Sequence, residues 1–211
     1  MRKHQVLALT AGAFLAAGMA VAAVQSSGAF EWPRVERGFT LLYDGYNFKD
    51  WKQIGPGRFA IESDRSLRSV GGMGLYYDHR QEFKDFILRL DWKASRAEDN
   101  SGIFVRFPDP KGDPWKPVNQ GYEVQVLDGA GDPKQRTGAI YSFEGSTGVP
   151  TKLGEWNTME IKVVGQKYEI RVNGKLVTKF TGDRSQEGYF GLQNHGGNDT
   201  VWFRNIRIRE L

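Results

Sequence analysis

The chain of 211 residues contains no cysteine. This absence excludes disulfides, thiolate catalysis, cysteine zinc sites and a lipid anchor on cysteine. Histidine is also scarce, because the sequence holds three, His4, His79 and His195. A histidine-rich metal centre is therefore excluded, whereas a metal ion held by carboxylates, one histidine and waters stays compatible with the sequence.

A strong charge imbalance is absent too. The 29 Lys and Arg residues exceed the 25 Asp and Glu residues by a net charge of +4, and Arg2 and Lys3 carry part of that excess. The remaining charge is too small to predict a nucleic-acid surface. The sequence also lacks a Gly-x-Ser-x-Gly nucleophile elbow and a Walker loop. Its 39% hydrophobic and 13% aromatic residues are typical of one globular domain.

The first 25 residues have the composition of a secretory signal peptide. A basic head precedes an apolar run from Val6 to Val24, and Ala20-Val21-Ala22 fits a small-x-small cleavage pattern. An uncleaved membrane anchor is the alternative, because the run is almost long enough to span a bilayer. We expect export to the periplasm or the extracellular space, a short linker over 26–36, and one domain over 37–211.

Period-2 alternation of apolar residues dominates the rest of the chain and predicts an all-β fold. Residues 85–93 alternate as a half-buried strand, and Asn173-Gly174 between two alternating runs predicts a hairpin over 166–181. No helix of three turns is predicted. Two packed antiparallel sheets, in a sandwich or jelly roll, are therefore expected. Further strands are predicted at 39–43, 58–63, 66–70, 101–107, 121–127, 137–142, 156–164, 188–194 and 200–209.

Two loops and one bulge follow from local sequence. Residues 108–119 hold four prolines and a glycine, and 128–136 separate two predicted strands, so both segments are expected to be loops. In the last strand the alternation of Val201 and Phe203 changes parity before Ile206. A β-bulge at Arg204-Asn205 would reconcile the two halves of that strand.

Polar side chains share one face of three predicted strands. Alternation points Ile103, Val105 and Phe107 inward, and Arg106 outward. A face rich in amides, a carboxylate, a cation and an imidazole suits a polyhydroxylated ligand, whose hydroxyls need donors and acceptors. A solvated face without function is the alternative. The polar set is Asn100, Arg106, Glu123, Gln125, Gln193 and His195, with Asp128 at the end of its strand.

A succession of short motifs resembles the 3-keto-disaccharide hydrolase family, also described as 3-keto-glucoside 1,2-lyases and 3-keto-2-hydroxy-glucal hydratases. The resemblance covers 37–211 and implies a concanavalin-like jelly roll of two antiparallel sheets that acts on a small carbohydrate. Each motif alone is short, and their order and spacing carry the resemblance. The motifs lie at 38–45 with Trp51, 85–86, 100–106, 121–128, 137–141, 154–157, 173–174, 191–195 and 203–206.

The resemblance implies that a base removes the acidic proton at carbon 2 of a glucoside oxidised at carbon 3. An electrophile stabilises the enolate, the group at carbon 1 leaves, and water then adds. We expect Glu123 to be the base or a metal ligand, Arg106 to stabilise the enolate or orient Glu123, and His195 to be the acid or a metal ligand. A divalent metal ion of unknown identity is plausible on this resemblance. The residues expected to bind hydroxyls or complete a metal shell are Asn100, Gln125, Asp128 and Gln193.

Two other functions remain open on the sequence. A noncatalytic carbohydrate-binding module has the same fold class, and fold alone does not decide function. A conventional glycoside hydrolase needs two carboxylates in one cleft, whereas Glu123 and Asp128 have opposite parity on their strand. No nucleic-acid partner is expected, and no stable membrane contact after signal cleavage.

Overall fold

The computed structural model describes residues 35–211. The predicted signal peptide over 1–25 and all but the end of the linker lie outside the described residues. Within the described part of the chain, no helix has both the length and the apolar composition needed to cross a membrane.

Thirteen strands, one short helix and one 3₁₀ turn make up the described chain. The helix is α1 (Lys116–Gln120), and the 3₁₀ turn spans Pro133–Gln135. The strands are β1 (Thr40–Leu41), β2 (Trp51–Ile54), β3 (Arg58–Ile61), β4 (Leu67–Val70), β5 (Gly74–Phe83), β6 (Phe86–Ala94), β7 (Ser101–Phe107), β8 (Tyr122–Val126), β9 (Asn157–Val164), β10 (Lys167–Val172), β11 (Lys175–Thr181), β12 (Gly188–Asn194) and β13 (Val201–Glu210).

The strands form two antiparallel sheets, which confirms the predicted all-β jelly-roll sandwich. The eight-stranded sheet has the order β11-β10-β9-β6-β13-β4-β3, and β1 also pairs with β13. The five-stranded sheet has the order β2-β5-β12-β7-β8. The predicted hairpin is β10–β11, whose turn residue Asn173 has a φ of 48°.

The main hydrophobic core lies between the two sheets. Trp92 and Phe203 of the eight-stranded sheet are fully buried in the same cluster as Ile103, Val124 and Leu192 of the five-stranded sheet. Burying such apolar side chains contributes roughly 1.5–3 kcal/mol each, so the sandwich needs no disulfide. Since the apolar side chains of one face of each strand are used here, the opposite face is free for other contacts.

Three predictions about strands were wrong, and the first error is that β2 was not predicted. The ten-residue strand β5 was missed because its first five residues, Gly74 to Asp78, are all buried, so they show no alternation of polar and apolar residues. Residues 137–142 were expected to be a strand, but they form turns with isolated bridges at Ile140. The positive φ of Gly138 (85°) and Ser142 (65°) turns the backbone out of an extended path.

The predicted bulge in β13 is confirmed. The register between β13 and β6 shifts between Arg204 and Arg207, and Asn205 has a φ of 54°. Another left-handed residue, Arg106 with a φ of 54°, lies near the end of β7. It was not predicted, and it changes which side chains of that strand face the core.

Candidate active site

The candidate site lies on the outer face of the five-stranded sheet, the face turned away from the core. Ile103 and Val124 are opposite each other and point into the core, so Phe104 and its partner Glu123 point outward. Gln125 lies outward beside them, opposite Gly102. The register therefore places the carboxylate and amide side chains of β8 next to β7.

A small apolar cluster lies on the same outer face. Leu75, Tyr77, Phe104 and Phe107 are buried there together, and Val118 from α1 packs against them. The segment that carries α1 therefore covers part of this face. This cover excludes water from the sheet and gives the neighbouring polar groups a partly apolar surrounding.

A cavity of about 410 Å³ opens over this face, within the range typical of small-molecule sites. The structure brings together most of the residues that the sequence assigned to a site. Arg106 and Asp128 are the two that it places elsewhere. The predicted residues that line the cavity are Asn100, Glu123, Gln125, Gln193 and His195.

The carboxyl group of Glu123 is the most perturbed acid of the cavity. Its side chain is 5% exposed, and Oε1 has no hydrogen-bond partner among the described residues. Burial raises the pKa of Glu123 to about 8, although the amide of Gln193 lowers that pKa in part. A carboxyl group whose pKa lies close to neutral pH can both accept and donate a proton.

Gly102 provides the space in which this carboxyl group lies. A Cβ atom at position 102 would come within 2.1 Å of Oε1 of Glu123 and 2.7 Å of its Cδ. The neighbouring strand therefore accommodates the buried carboxyl group only because residue 102 has no side chain.

The amides of the cavity offer unused acceptors. Nε2 of Gln125 donates to Oδ1 of Asn100 over 3.1 Å. Oε1 of Gln125 and Oε1 of Gln193 are buried and have no partner among the described residues. Buried acceptors of this kind normally carry a hydrogen bond, so a ligand rich in hydroxyl groups complements them.

His195 is the exposed titratable group of the cavity. Its side chain is 49% exposed, and Nδ1 lies 2.6 Å from Oδ2 of Asp199, which is 18% exposed. This contact leaves Nε2 as the ring nitrogen available to a ligand. Asp199 was missed by the sequence analysis, because it follows the strand in an irregular Gly-rich segment where alternation predicts nothing.

The prediction that Arg106 shares a face with Glu123 is wrong. The left-handed backbone at Arg106 turns its side chain inward and leaves Phe107 on the outer face. The Arg106 side chain is fully buried, donates to the backbone oxygens of Lys84 and Gly165, and lies 3.1 Å from Oδ1 of Asp85. Arg106 therefore joins strand ends and cannot stabilise an enolate in the cavity.

The prediction that Asp128 contributes to the same site is also wrong. The hydroxyls of Thr137 and Thr151 donate to its two carboxylate oxygens over 2.5 and 2.6 Å. It lines a separate small pocket with Arg136. β8 ends at Val126, so Asp128 belongs to the following turn, where its two acceptors hold loops together.

The side chains of the cavity do not fit a metal site. In the described range 35–211, no three His, Asp or Glu side chains group closely enough to hold a metal ion. Glu123 and His195 do line one cavity, but Nδ1 of His195 is already bound to Asp199. The two residues supply fewer donors than divalent ions usually take from a protein, so we assign no reaction step to a metal.

Loop residues complete the cavity, and the sequence analysis did not single them out. Trp115 and Asn119 come from the segment around α1, and Tyr141 comes from the turns after β8. The signal that would have identified Trp115 is a large aromatic residue in a segment rich in proline and charge.

The chain is similar to known proteins along most of its length. It is 30% identical to the 3-keto-disaccharide hydrolase of Bacteroides thetaiotaomicron, over 82% of this chain and 79% of that protein. A candidate glycosyl hydrolase of Parabacteroides distasonis superposes with a TM-score of 0.71 at 23% identity, over 82% of this chain and 94% of that chain. The carbohydrate-binding module CBM66 from Bacillus subtilis superposes with a TM-score of 0.57 at 16% identity, over 76% of this chain and 96% of that module.

The two structural likenesses show a shared fold, and a family model supplies the assignment. The model of the 3-keto-alpha-glucoside-1,2-lyase-like domain matches residues 38–209, which include every strand except the last residue of β13. The resemblance noted in the sequence is thereby confirmed: this chain belongs to the family of 3-keto-alpha-glucoside-1,2-lyase-like domains.

Proposed function

We propose that the protein is a carbohydrate-active enzyme that cleaves glycosides oxidised at carbon 3 of the sugar. The observation that carries this proposal is Glu123, a buried carboxyl group whose pKa is raised to about 8 beside unused amide acceptors. The 3-keto-disaccharide hydrolase named above supports the substrate class.

Glu123 is assigned the proton transfer at carbon 2. The ketone at carbon 3 acidifies the proton on carbon 2, so one carboxylate suffices as the base, and no second carboxylate is required. Deprotonation leaves an enolate whose negative charge lies on the oxygen at carbon 3. The raised pKa of Glu123 makes its carboxylate a stronger base than an exposed glutamate.

The side-chain amides are assigned two roles, to stabilise the enolate and to bind the neighbouring hydroxyls. Nδ2 of Asn100 and the NH₂ group of Gln193 are side-chain donors of the cavity. They can donate hydrogen bonds to the enolate oxygen, as the donors of an oxyanion hole do. The carbonyl oxygens of Gln125 and Gln193, which have no partner among the described residues, accept from sugar hydroxyls. Since Arg106 lies in the core, this stabilisation comes from neutral donors.

His195 is assigned protonation of the departing oxygen at carbon 1. Its contact with Asp199 fixes the ring and presents Nε2 to the cavity. When the bond from carbon 1 to this oxygen breaks, the electron pair of the enolate forms the double bond between carbons 1 and 2. The products are an alcohol and an unsaturated 3-keto sugar, and adding water to carbon 1, with a proton to carbon 2, gives the free 3-keto sugar.

A carbohydrate-binding module is the second candidate function. The exposed ring of Trp115 at the cavity favours it, since exposed aromatic residues are typical of such modules. A conventional glycoside hydrolase is disfavoured, because Glu123 is the one carboxylate among the described residues that line the cavity. Export to the periplasm or beyond rests on residues 1–25 and belongs to the proposal.

The test is to incubate the purified protein with 4-nitrophenyl α- and β-glucosides and with their 3-keto derivatives, with and without EDTA. We expect nitrophenolate release from a 3-keto compound alone. Equal release from the unoxidised glucoside would indicate an ordinary hydrolase. No release from any compound, together with measurable sugar binding, would indicate a binding module. Loss of release with EDTA would show that a metal ion takes part.

A further inference from the structure

Asn194 is a buried amide in the strand that carries two residues of the candidate site. It is the last residue of β12 and lies between Gln193 and His195, which both line the cavity. Asn194 has the same parity as Leu192, which is buried in the core between the sheets, and its residue is 1% exposed. Its side chain therefore lies on the core side of the strand, out of contact with a ligand in the cavity.

The NH₂ group of Asn194 connects the two sheets. Nδ2 donates to the carbonyl oxygen of Arg58 over 3.1 Å and to that of Val70 over 2.9 Å. Arg58 and Val70 are partner residues on β3 and β4 of the eight-stranded sheet, whereas β12 belongs to the five-stranded sheet. Both hydrogens of one amide are thus used to hold the end of β12 against the other sheet.

The carbonyl oxygen of the same amide sets the turn that contains His195. Oδ1 of Asn194 accepts from the N–H of Gly196 over 3.1 Å, a local bond that directs the backbone out of the strand. The carbonyl of Gly196 then accepts from the N–H of Asp199 over 3.2 Å. This turn brings Asp199 back to the ring of His195, where Oδ2 lies 2.6 Å from Nδ1.

The second half of the segment between β12 and β13 has separate anchors. The N–H of Thr200 donates to Oδ1 of Asp99 over 3.2 Å, and the N–H of Val201 donates to Oγ of Ser69 over 2.9 Å. The backbone on the C-terminal side of Asp199 is therefore held by β4 and by the turn between β6 and β7. The other side, at the imidazole ring, depends on the turn described above.

Glycines leave room for the amide and for the turn. A Cβ atom at position 57 would lie 2.8 Å from Nδ2 of Asn194 and 1.8 Å from the carbonyl oxygen of Gly72. At Gly196, whose φ is 95°, a Cβ atom would lie 2.7 Å from the backbone nitrogen of Met73. The turn is therefore closely packed against Met73, which itself lines the cavity.

We propose that Asn194 is a positioning residue, which fixes the ring of His195 relative to Glu123 by tying the end of β12 to the eight-stranded sheet. The inference rests on the proposed function, in which His195 protonates the departing oxygen, and adds what holds the ring in place. Glu123 lies on β8 of the five-stranded sheet, so contacts to different sheets hold the acid and the base. A small displacement of either group is costly in rate, because proton transfer needs a short and aligned contact.

The test compares Asn194→Ala with the wild type on the 3-keto glycoside that the wild type cleaves. We expect kcat to fall about tenfold to a hundredfold, because the ring moves away from the departing oxygen, while KM stays within about twofold. Asn194 touches no ligand in the cavity, so a change confined to kcat is what a positioning role predicts. Both constants are measured at a temperature where the variant stays folded.

Asn157→Ala is the matched control. Asn157 is also 1% exposed, and its Nδ2 donates to the backbone carbonyls of Lys152 and Glu155 over 3.1 and 3.2 Å. Its Oδ1 accepts from the N–H of Lys152 over 3.1 Å, and the residue does not line the cavity. We expect a similar fall in melting temperature in both variants and an unchanged kcat in Asn157→Ala. An equal loss of kcat in both would be an effect of lower stability and would overturn the proposal.

The tautomer of the His195 ring gives a readout that does not need the reaction. At a pH where the ring is neutral, we expect one tautomer in the wild type, with the hydrogen on Nδ1, because Oδ2 of Asp199 accepts it. Long-range ¹H–¹⁵N NMR spectra measure the tautomer, and His195→Gln assigns the signals. In Asn194→Ala we expect a mixture of both tautomers, whereas Asn157→Ala keeps the wild-type spectrum.

The two readouts separate this proposal from the proposed function. If the wild type cleaves no 3-keto glycoside but Asn194→Ala still mixes the tautomers, the positioning role stands and the proposed reaction fails. If the ring spectrum of Asn194→Ala equals that of the wild type, Asn194 does not position His195, whether or not kcat changes. A mixture of tautomers with wild-type kcat would also overturn the proposal, since the reaction would not depend on the position of the ring.

Asn194→Ser keeps the proposal testable if Asn194→Ala does not fold. A serine hydroxyl can still accept from the N–H of Gly196, but it cannot supply two hydrogens to the carbonyls of Arg58 and Val70. We expect a smaller change of the same kind in kcat and in the ring spectrum. Wild-type behaviour of Asn194→Ser in both measurements would overturn the proposal.

Discussion

Glu123 and Arg106 are buried ionisable side chains on two paired strands, and they have opposite surroundings. Arg106 is fully buried, yet its guanidinium reaches two backbone carbonyls and the carboxylate of Asp85. Glu123 is 5% exposed, and one of its carboxylate oxygens has no partner among the described residues.

The two side chains therefore differ in hydrogen bonding and not in burial. A buried charge with its partners in place stabilises one arrangement of the chain. A buried acid without them has a perturbed pKa and an unused acceptor, which is what a reaction centre requires. Alternation in the sequence predicts both side chains on one face of the sheet. The left-handed backbone of Arg106 turns its side chain to the opposite face.

Glu123→Gln gives the largest expected effect and removes the functional member of the pair. The amide has the same shape but cannot take a proton, so kcat on the 3-keto glycoside falls about 10²–10⁴-fold. Steady-state kinetics with the substrate identified above measures the loss.

Glu187→Gln is the matched control for this substitution, since Glu187 is exposed and lies outside the cavity. Full activity of Glu123→Gln would show that Glu123 takes no part in the reaction.

The pH dependence of stability gives the next largest effect. The pKa of Glu123 is about 8 in the folded chain and near 4.5 when the chain unfolds. Above the unfolded pKa the unfolded state loses this proton first, so the free energy of unfolding falls by about 1.4 kcal/mol per pH unit until the folded pKa is reached.

Glu123→Gln removes this loss, so the variant gains stability relative to the wild type as the pH rises from 5 to 8. Urea unfolding of both proteins at several pH values measures the difference. A constant difference across this range would contradict the raised pKa of Glu123.

Arg106→Met tests the structural member of the pair. The substitution leaves buried backbone acceptors and the carboxylate of Asp85 without their donor, which costs about 3 kcal/mol of unfolding free energy. Chemical denaturation measures the loss, and Arg171→Met, on an ion pair at the surface, is the control.

At temperatures where Arg106→Met stays folded, KM and kcat remain near wild type. A strong loss of kcat in the folded variant would show that Arg106 takes part in the reaction.

Asp199→Asn gives the smallest expected effect and extends the comparison to a positioning residue. The amide weakens the hold on Nδ1 of His195, so kcat falls about tenfold while KM and the melting temperature change little. Asp132→Asn, an exposed aspartate of another loop, is the control. A large fall in the melting temperature together with the loss of kcat would show that Asp199 is a structural contact.

Most of the fold could be predicted from the sequence because alternation is a local property of half-buried strands. The hairpin at Asn173-Gly174 and the bulge at Asn205 were both visible in this way. β5 escaped because the five-stranded sheet is apolar on both faces at Leu75 and Tyr77, so burial on the outer face removed the pattern. Contacts between distant segments, which decide that burial, leave no periodic signal.

The site was predictable where it lies on regular strands and unpredictable where backbone geometry or loops decide. Glu123 and Gln125 were placed correctly because β8 has no bulge. Arg106 was misplaced because nothing in its neighbourhood signals a positive φ in a residue other than glycine. Trp115 and Asp199 reach the cavity from irregular segments, which alternation does not describe.

Gly102 matters to the proposed reaction because it has no Cβ atom. A single added methyl group at this position would overlap the carboxyl group of Glu123, although the strand could keep its pairing. Among proteins built on this sandwich, a chain with a side chain at the corresponding position could still fold and yet lack room for the acid. Position 102 therefore controls whether the acid fits, although Gly102 itself takes no part in the proposed chemistry.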